Sequence, residues 1–276
     1  MRRIAAALLA LLLTVSCALA EVEMLTVSVG KGDAILLRAD GYVCLIDTGK
    51  AKAQARVEAA LAHMGVERLD AVFITHTDND HTGGLKWLRK SGLEIGAIYA
   101  SKYFPESTEK KHPAVKTAKK LDLEVNWLAA GDAVALGDTG AVLRVLAPIT
   151  EISEDEDDNS LVMLLDSPDG RILLTGDMEE KEEQALLNSG ANLTCDVLKV
   201  PNHGDDDACG KELIEACAAK IAVISTDGAE KPGTPSARVL NDLANVGCET
   251  YVTQDCALGV DVFMDRGEIR VALLDE

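Results

Sequence analysis

Aromatic residues are few: three Phe, two Trp and four Tyr in a chain of 276. Nine rings supply little material for base-stacking platforms, which argues against a binder of single-stranded nucleic acid. Positive charge is also short, with 27 Lys and Arg against 46 Asp and Glu and a formal net charge of −19. A surface this acidic repels polyanions and anionic lipid at long range, so no strong nucleic-acid binding is expected. Seven cysteines are present, none of them paired as Cys-x-x-Cys. There is no linker rich in Pro, Gly or Ser and no internal repeat, which leaves one domain as the working count. Long apolar runs are missing too. The longest, Ile4 to Val15, falls short of the roughly 20 residues that a membrane-crossing helix needs.

What remains is ordinary globular material, 47% hydrophobic and 26% charged, enough for a sizeable core. Arg2 and Arg3, the short apolar run and the closing Ala18-Leu19-Ala20 predict an export signal over residues 1–20, with a single domain over 21–276. Cys17 leaves a second reading open, a lipoprotein signal, although Thr14 stands where such signals carry leucine. Cleavage before Glu21 removes two arginines, leaving 25 basic and 46 acidic side chains and a charge of −21. Either way the mature chain carries no transmembrane span; its oligomeric state is not legible. Much of the negative charge is concentrated in Glu151, Glu154, Asp155, Glu156, Asp157 and Asp158, a run read either as a solvated loop or as a calcium or partner site. Six cysteines remain after cleavage. Cys44 and Cys195 lie in apolar runs that suit free buried thiols, while Cys209 with Cys217, or Cys248 with Cys256, are open to bridging.

Short β-branched runs, beginning with Val22–Val29, Ala34–Arg38 and Tyr42–Ile46, predict three antiparallel strands. Helical spacing over Ala51–Met64 precedes a buried strand, Ala71–Thr75. Further strands are predicted at 97–100, 125–128, 142–146, 161–165, 171–175, 196–200, 221–225, 249–252, 259–264 and 269–273, with helices near 85–90, 115–121, 179–188, 209–218 and 236–246. Two sets of mostly antiparallel strands, each followed by helices, imply an α+β sandwich of two sheets with helices outside.

The chemistry is concentrated after the strand at 71–75, where His76, Asp78, Asp80 and His81 fall within six residues and precede Gly83-Gly84. Imidazole interleaved with carboxylate suits zinc, iron or manganese. A polar turn capping the helix at Leu85 would need only one such residue. A calcium loop starting at Asp78 requires glutamate at its twelfth position, which is Arg89.

These residues resemble the metallo-β-lactamase fold superfamily, whose signature is H-x-[HD]-x-D-H after a strand. The order of motifs also matches: Leu45-Ile46-Asp47-Thr48-Gly49, the 76–84 loop, Asp158-Asn159-Ser160-Leu161-Val162, Leu174-Thr175-Gly176-Asp177, and Val197 to Gly204 (V-L-K-V-P-N-H-G). With the opening Val29-Gly30-Lys31-Gly32-Asp33-Ala34, they are similar to the branch related to the ComEC/Rec2 competence proteins and to secreted phosphorylcholine esterases. The resemblance implies an αββα four-layer sandwich and a site for two divalent ions, zinc or manganese. It would place His76 and Asp78 on one ion, Asp80, His81 and His203 on the other, and Asp177 between them. Asp47 is read either as a support that fixes a ligand imidazole or as a turn residue. Asn159 or water would complete the first ion's set. Asp80 and Asn202 are the candidate catalytic positions. The chain departs from the pattern at Asn202, where relatives carry a second histidine, and at Thr234-Pro235, where they often have His-Pro. His63 and His112 match no motif and are expected on the surface. The function implied is metal-dependent hydrolysis of a phosphodiester, phosphate ester or other small-molecule ester. The alternative is a weakened metal-binding accessory domain of the envelope or of DNA uptake.

Overall fold

A computed structural model describes residues 21–105, 111–149 and 156–275. The expected leader (1–20) and Glu151, Glu154 and Asp155 lie outside the described residues. In chain order the strands and helices are β1 (Val22–Val27), β2 (Ile35–Ala39), β3 (Tyr42–Ile46), α1 (Gln54–His63), β4 (Arg68–Ile74), α2 (Asn79–Thr82), α3 (Leu85–Leu88), β5 (Glu94–Ser101), α4 (Pro113–Leu121), β6 (Val125–Leu128), β7 (Ala133–Leu136) and β8 (Ala141–Ala147). The second half continues with β9 (Val162–Ser167), β10 (Gly170–Leu174), α5 (Glu180–Asn188), β11 (Val197–Lys199), α6 (Lys211–Cys217), β12 (Ile221–Ile224), α7 (Ala237–Asn245), β13 (Glu249–Val252), β14 (Gly259–Asp265) and β15 (Glu268–Leu274).

The strands form an eight-stranded sheet in the order β15-β14-β1-β2-β3-β4-β5-β6 and a seven-stranded sheet in the order β13-β12-β11-β10-β9-β8-β7. The meander β1-β2-β3 is antiparallel, as expected. Both sheets are mixed, with seven of the pairings among the described strands antiparallel; β3 through β6 run parallel, and so do β10 through β13. Helical crossovers make this necessary, because a helix returning the chain to the same sheet edge restarts the next strand in the same direction. β7 was not foreseen; its Ala-Val-Ala-Leu is short and mildly apolar, with only Val134 and Leu136 buried.

Alternate residues of each strand enter different apolar layers, as the two-residue period of a strand requires. Met24, Leu37 and Phe73 meet Leu143, Leu165 and Leu174 between the sheets. Their neighbours Leu25, Leu45 and Val72 pack on Val57 and Leu61 of α1 and Leu88 of α3. On the far side, Leu164, Leu173 and Leu198 pack on Leu186, Leu213 and Leu243 of α5, α6 and α7. The result is the αββα sandwich. Strands covered on both faces read as continuous apolar runs, as Ile221-Ala222-Val223-Ile224 does.

All six described cysteines are buried free thiols, so neither bridge left open by the sequence forms. His63 is exposed as expected, but His112 is buried. It sits at the N-terminus of α4, where Nδ1 accepts the Ala114 N–H at 3.3 Å, and its ring packs edge-on to Phe104 and Trp127. Among the described residues no helix is long and apolar enough to cross a membrane.

Candidate metal centre

The two parallel halves bring the carboxyl ends of β3, β4, β10, β11 and β12 together, and each strand hands a polar side chain to one cluster. Asp47 follows β3 in a left-handed backbone (φ 55°) and is fully buried. Its carboxylate accepts the Thr75 N–H (2.9 Å), the Thr75 hydroxyl (2.6 Å) and, at 2.7 Å, Nδ1–H of His81. Asp47 is therefore no solvated turn residue. The loop after β4 delivers His76, then the single turn α2 delivers Asp80 and His81. Gly84 allows that loop to lie on the Asp47-Thr48-Gly49 turn, since a Cβ there would meet the Thr48 carbonyl at 2.3 Å.

Asp177 arrives after β10 through Gly176 (φ 54°), a residue with no room for a side chain against Ser160. Ser160 Oγ accepts the Asp177 N–H at 3.1 Å and lies 3.2 Å from His76 Nδ1, joining the two halves. The stretch after β11 turns sharply at Asn202 and His203, both in left-handed conformations (φ 39° and 56°). This aims His203 Nε2 at Asp177 Oδ2 (2.8 Å), with Nδ1–H donated to the Ser225 carbonyl at 2.7 Å.

The three imidazoles form one stack, with ring centroids 4.1 Å apart for His76 and His81 and 5.4 Å apart for His81 and His203. In each the Nδ1 side is engaged: His76 with Thr75 and Ser160, His81 with Asp47, His203 with Ser225. Such anchoring of Nδ1 turns Nε2 of each ring toward the cluster, where it is the nitrogen that would ligate an ion. Among the described residues His76 Nε2 and Asp177 Oδ1 are buried without hydrogen-bond partners, and His81 Nε2, 3.1 Å from Asp177 Oδ2, is not aligned to form one. Orphaned acceptors of this kind fit a divalent cation, because leaving them buried and unpaired costs free energy. Among the described residues four groups of three could hold an ion, the donor atoms within each lying within 4.8 Å of one another: Asp47, His76, His81; Asp80, His81, His203; Asp33, His81, Asp177; and His76, Asp157, Asp177.

Electrostatics follow from burial. Burial, aided by the neighbouring His81, pushes His76 down to about 3. Burial also opposes charge on His81 and Asp177, but attraction to Asp177 and Asp47 holds the His81 imidazole well above its ordinary value, and attraction to His203 and His81 holds the Asp177 carboxyl well below. Asp47 is raised by burial despite its His81 partner.

Of the residues singled out in the sequence, His76, Asp80, His81, Asp177 and His203 meet in these groups. Asp78 joins none of them: it is exposed at the start of α2. Asn202 is buried, with its amide N–H groups directed to Glu179 (2.9 Å) and Asp207 (3.5 Å). Asn159 is buried with its carbonyl accepting the Ser101 hydroxyl. The structure adds four residues without an assigned role in the sequence. Asp157, from the acidic run, comes within 3.6 Å of His76 Nε2. Lys31 Nζ lies 3.0 Å from Asp80 Oδ2 and 3.8 Å from Asp177 Oδ2. Asp33 and the fully buried Lys199 pair at 2.9 Å behind His203. Lys31, Asp33 and Lys199 all stand in quoted motifs, so their presence was visible; their convergence was not.

A family model described as the metallo-beta-lactamase superfamily matches residues 27–228, and the chain belongs to that superfamily. Within it the similarity is to the branch related to ComEC/Rec2. The chain is 27% identical over 249 residues to ComE operon protein 3 of Bacillus subtilis, covering 83% of this chain and 31% of that protein. It is 26% identical over 255 residues to Recombination protein 2 of Haemophilus influenzae, covering 90% and 30%. The chain thus spans about a third of the length of the curated relatives it matches. Among solved structures, the metallo-beta-lactamase fold protein YhfI of Bacillus subtilis superposes with a TM-score of 0.55 at 13% identity, covering 91% of this chain and 100% of that one; this likeness concerns the fold alone.

Proposed function

We propose that the protein is an exported, metal-dependent hydrolase acting on phosphodiester or phosphate-ester bonds. The observation that carries the reading is the convergence of His76 Nε2, His81 Nε2 and Asp177 Oδ1, buried and unsatisfied, beside His203 and Asp80. In this reading His76 serves one ion with Asp157 nearby and Asp78 at the rim; Asp80, His81 and His203 serve the other, and Asp177 lies between the two. When bound, divalent ions supply an activated water and offset charge on a phosphoryl oxygen. The chain's own residues do the rest. Asp47 holds the proton of His81 on Nδ1, and the Ser225 carbonyl does the same for His203. Asp80, partly open to solvent at the site's mouth, is kept ionised as a ligand must be, because attraction to His81 and Lys31 outweighs burial. No serine or cysteine nucleophile is required.

The test is metal analysis of the purified protein combined with hydrolysis of bis(p-nitrophenyl) phosphate under added zinc or manganese. Bound metal with turnover supports the reading; two bound ions without turnover would sink it. A second reading, a weakened metal-binding accessory domain in the envelope or in DNA uptake, draws support from the Lys31 ammonium beside Asp80 and Asp177 and from the names of the relatives. The acidic net charge speaks against direct DNA handling.

A further inference from the structure

A protein with 46 acidic and 27 basic side chains has little reason to bring lysines together, yet three meet beside the metal centre. The loop 30–33 contributes Lys31; the turn that carries Asp47 continues into Lys50 and Lys52. All three surround one carboxylate, that of Glu230, from the loop after β12. The Lys31 backbone N–H donates to Glu230 Oε2 at 3.2 Å, Lys50 Nζ donates to the same oxygen at 2.5 Å, and Lys52 Nζ donates to Oε1. The floor of this arrangement is Gly30 in a left-handed conformation (φ 85°); a Cβ there would sit 2.6 Å from Glu230 Oε2. The backbone has left a space shaped for oxygens. Glu230 is held far below the ordinary carboxylate range, at about 2, chiefly by hydrogen bonds from Lys50 and Lys52.

This site is one lysine away from the metal centre. Lys31 gives its backbone N–H to the carboxylate and extends its ammonium to Asp80 and Asp177. Backbone N–H groups combined with lysines over a glycine form an anion site. The carboxylate in it belongs to an exposed loop whose other charged strap is the pair Lys231–Asp205.

We propose that Gly30, the Lys31 N–H, Lys50 and Lys52 form a phosphate-binding cradle, occupied in the free protein by Glu230, that takes a second phosphate of the substrate while the scissile phosphate lies at the metal centre. The proposal rests on the phosphoester reading of that centre and sharpens it: the preferred substrates are small phosphodiesters bearing a neighbouring phosphate, as in a nucleoside bisphosphate ester. Glu230 is then a placeholder, which excludes weak monoanions and yields to a phosphate of higher charge.

Two measurements on the full-length purified protein test this. The first is calorimetric titration with inorganic phosphate. Glu230→Gln, which removes the competing charge with little change in shape, is expected to tighten phosphate about three- to tenfold, and Lys50→Gln/Lys52→Gln to weaken it by a similar factor, as two partly exposed ion pairs allow. In the triple variant the Glu230→Gln gain should vanish. Equal phosphate affinity in the parent, Glu230→Gln and the double lysine variant overturns the cradle. The second is the ratio of kcat/KM for the 5′-(p-nitrophenyl phosphate) of thymidine with and without a 3′-phosphate. The parent should prefer the bisphosphate, and the double lysine variant should lose about tenfold of that preference; a ratio of one in the parent also overturns the proposal. If neither ester is hydrolysed while Glu230→Gln still tightens phosphate, the hydrolase reading fails and the cradle stands.

Discussion

Lys31 places its ammonium 3.0 Å from Oδ2 of Asp80, so a carboxylate expected to serve a metal ion is already paired with a fixed cation. Two positive charges cannot share Asp80 without mutual repulsion. Lys31→Gln is therefore expected to raise affinity for zinc or manganese, by about three- to tenfold for a partly solvated pair. Competition with a chelator measures it. Unchanged affinity would mean that Lys31 swings clear when metal binds.

Asp177→Ala is expected to remove more metal than His76→Ala. Asp177 lies against both His81 and His203, and its Oδ1 is one of the orphaned acceptors, whereas His76 stands at one end of the imidazole stack. Elemental analysis of the two variants side by side decides the order; equal losses would take Asp177 out of the bridging position.

Asn202 offers no ionisable proton, so turnover should favour good leaving groups. The neighbours of its amide, Glu179 and Asp207, are carboxylates, which would hold an imidazole at that position in its protonated form. Asn202→His should accordingly raise rates on poor leaving groups by roughly 10² at most and change activated esters little. A rate series over leaving-group pKa shows this as a flatter slope. Loss of all activity in the variant would show instead that the left-handed backbone at 202 does not admit the substitution.

His112 supplies a stability prediction away from the site. Burial lowers it from 6.5 to about 4, so the unfolded chain takes up the proton first and the folded state loses stability as the pH falls through that window. Its contribution is complete above about pH 6.5 and fades toward pH 4, up to about 3 kcal/mol in all. Protonation also removes the Nδ1 acceptor for Ala114 N–H. Denaturant unfolding at several pH values should show the slope, and His112→Asn, which retains a capping acceptor, should flatten it.

The core strands were legible because runs such as Ala71–Thr75 and Ile221–Ser225 are apolar without interruption, and part of the candidate donor cluster because His76, Asp80 and His81 crowd one loop. Which strands pair in parallel was not legible, since the parallel pairing of β3 to β6 is set by crossover helices rather than by residue pattern. The roles of Asp157, Lys31 and Lys199 stayed hidden for a related reason. An acidic run, a loop lysine and a strand lysine each have a bland local reading, and only tertiary contact reveals where they meet. His112 matches no motif and so carries no sign of burial in the sequence; the rings that cover it are Phe104, eight residues before it, and Trp127 of β6.

Asp33 reaches the hydroxyl of Ser225 across 192 residues of sequence, and the buried Lys199 pairs with the same Asp33 carboxylate from behind. Contacts so distant along the chain close late in folding, because loop entropy must be overcome before they form. The site should therefore be assembled last, when the two sheets dock, and be nearly absent from the folding transition state. Bound metal would then act as a clasp on the finished sandwich. It should slow unfolding in proportion to its affinity and leave the refolding rate almost untouched, a division that stopped-flow experiments with and without chelator can read directly.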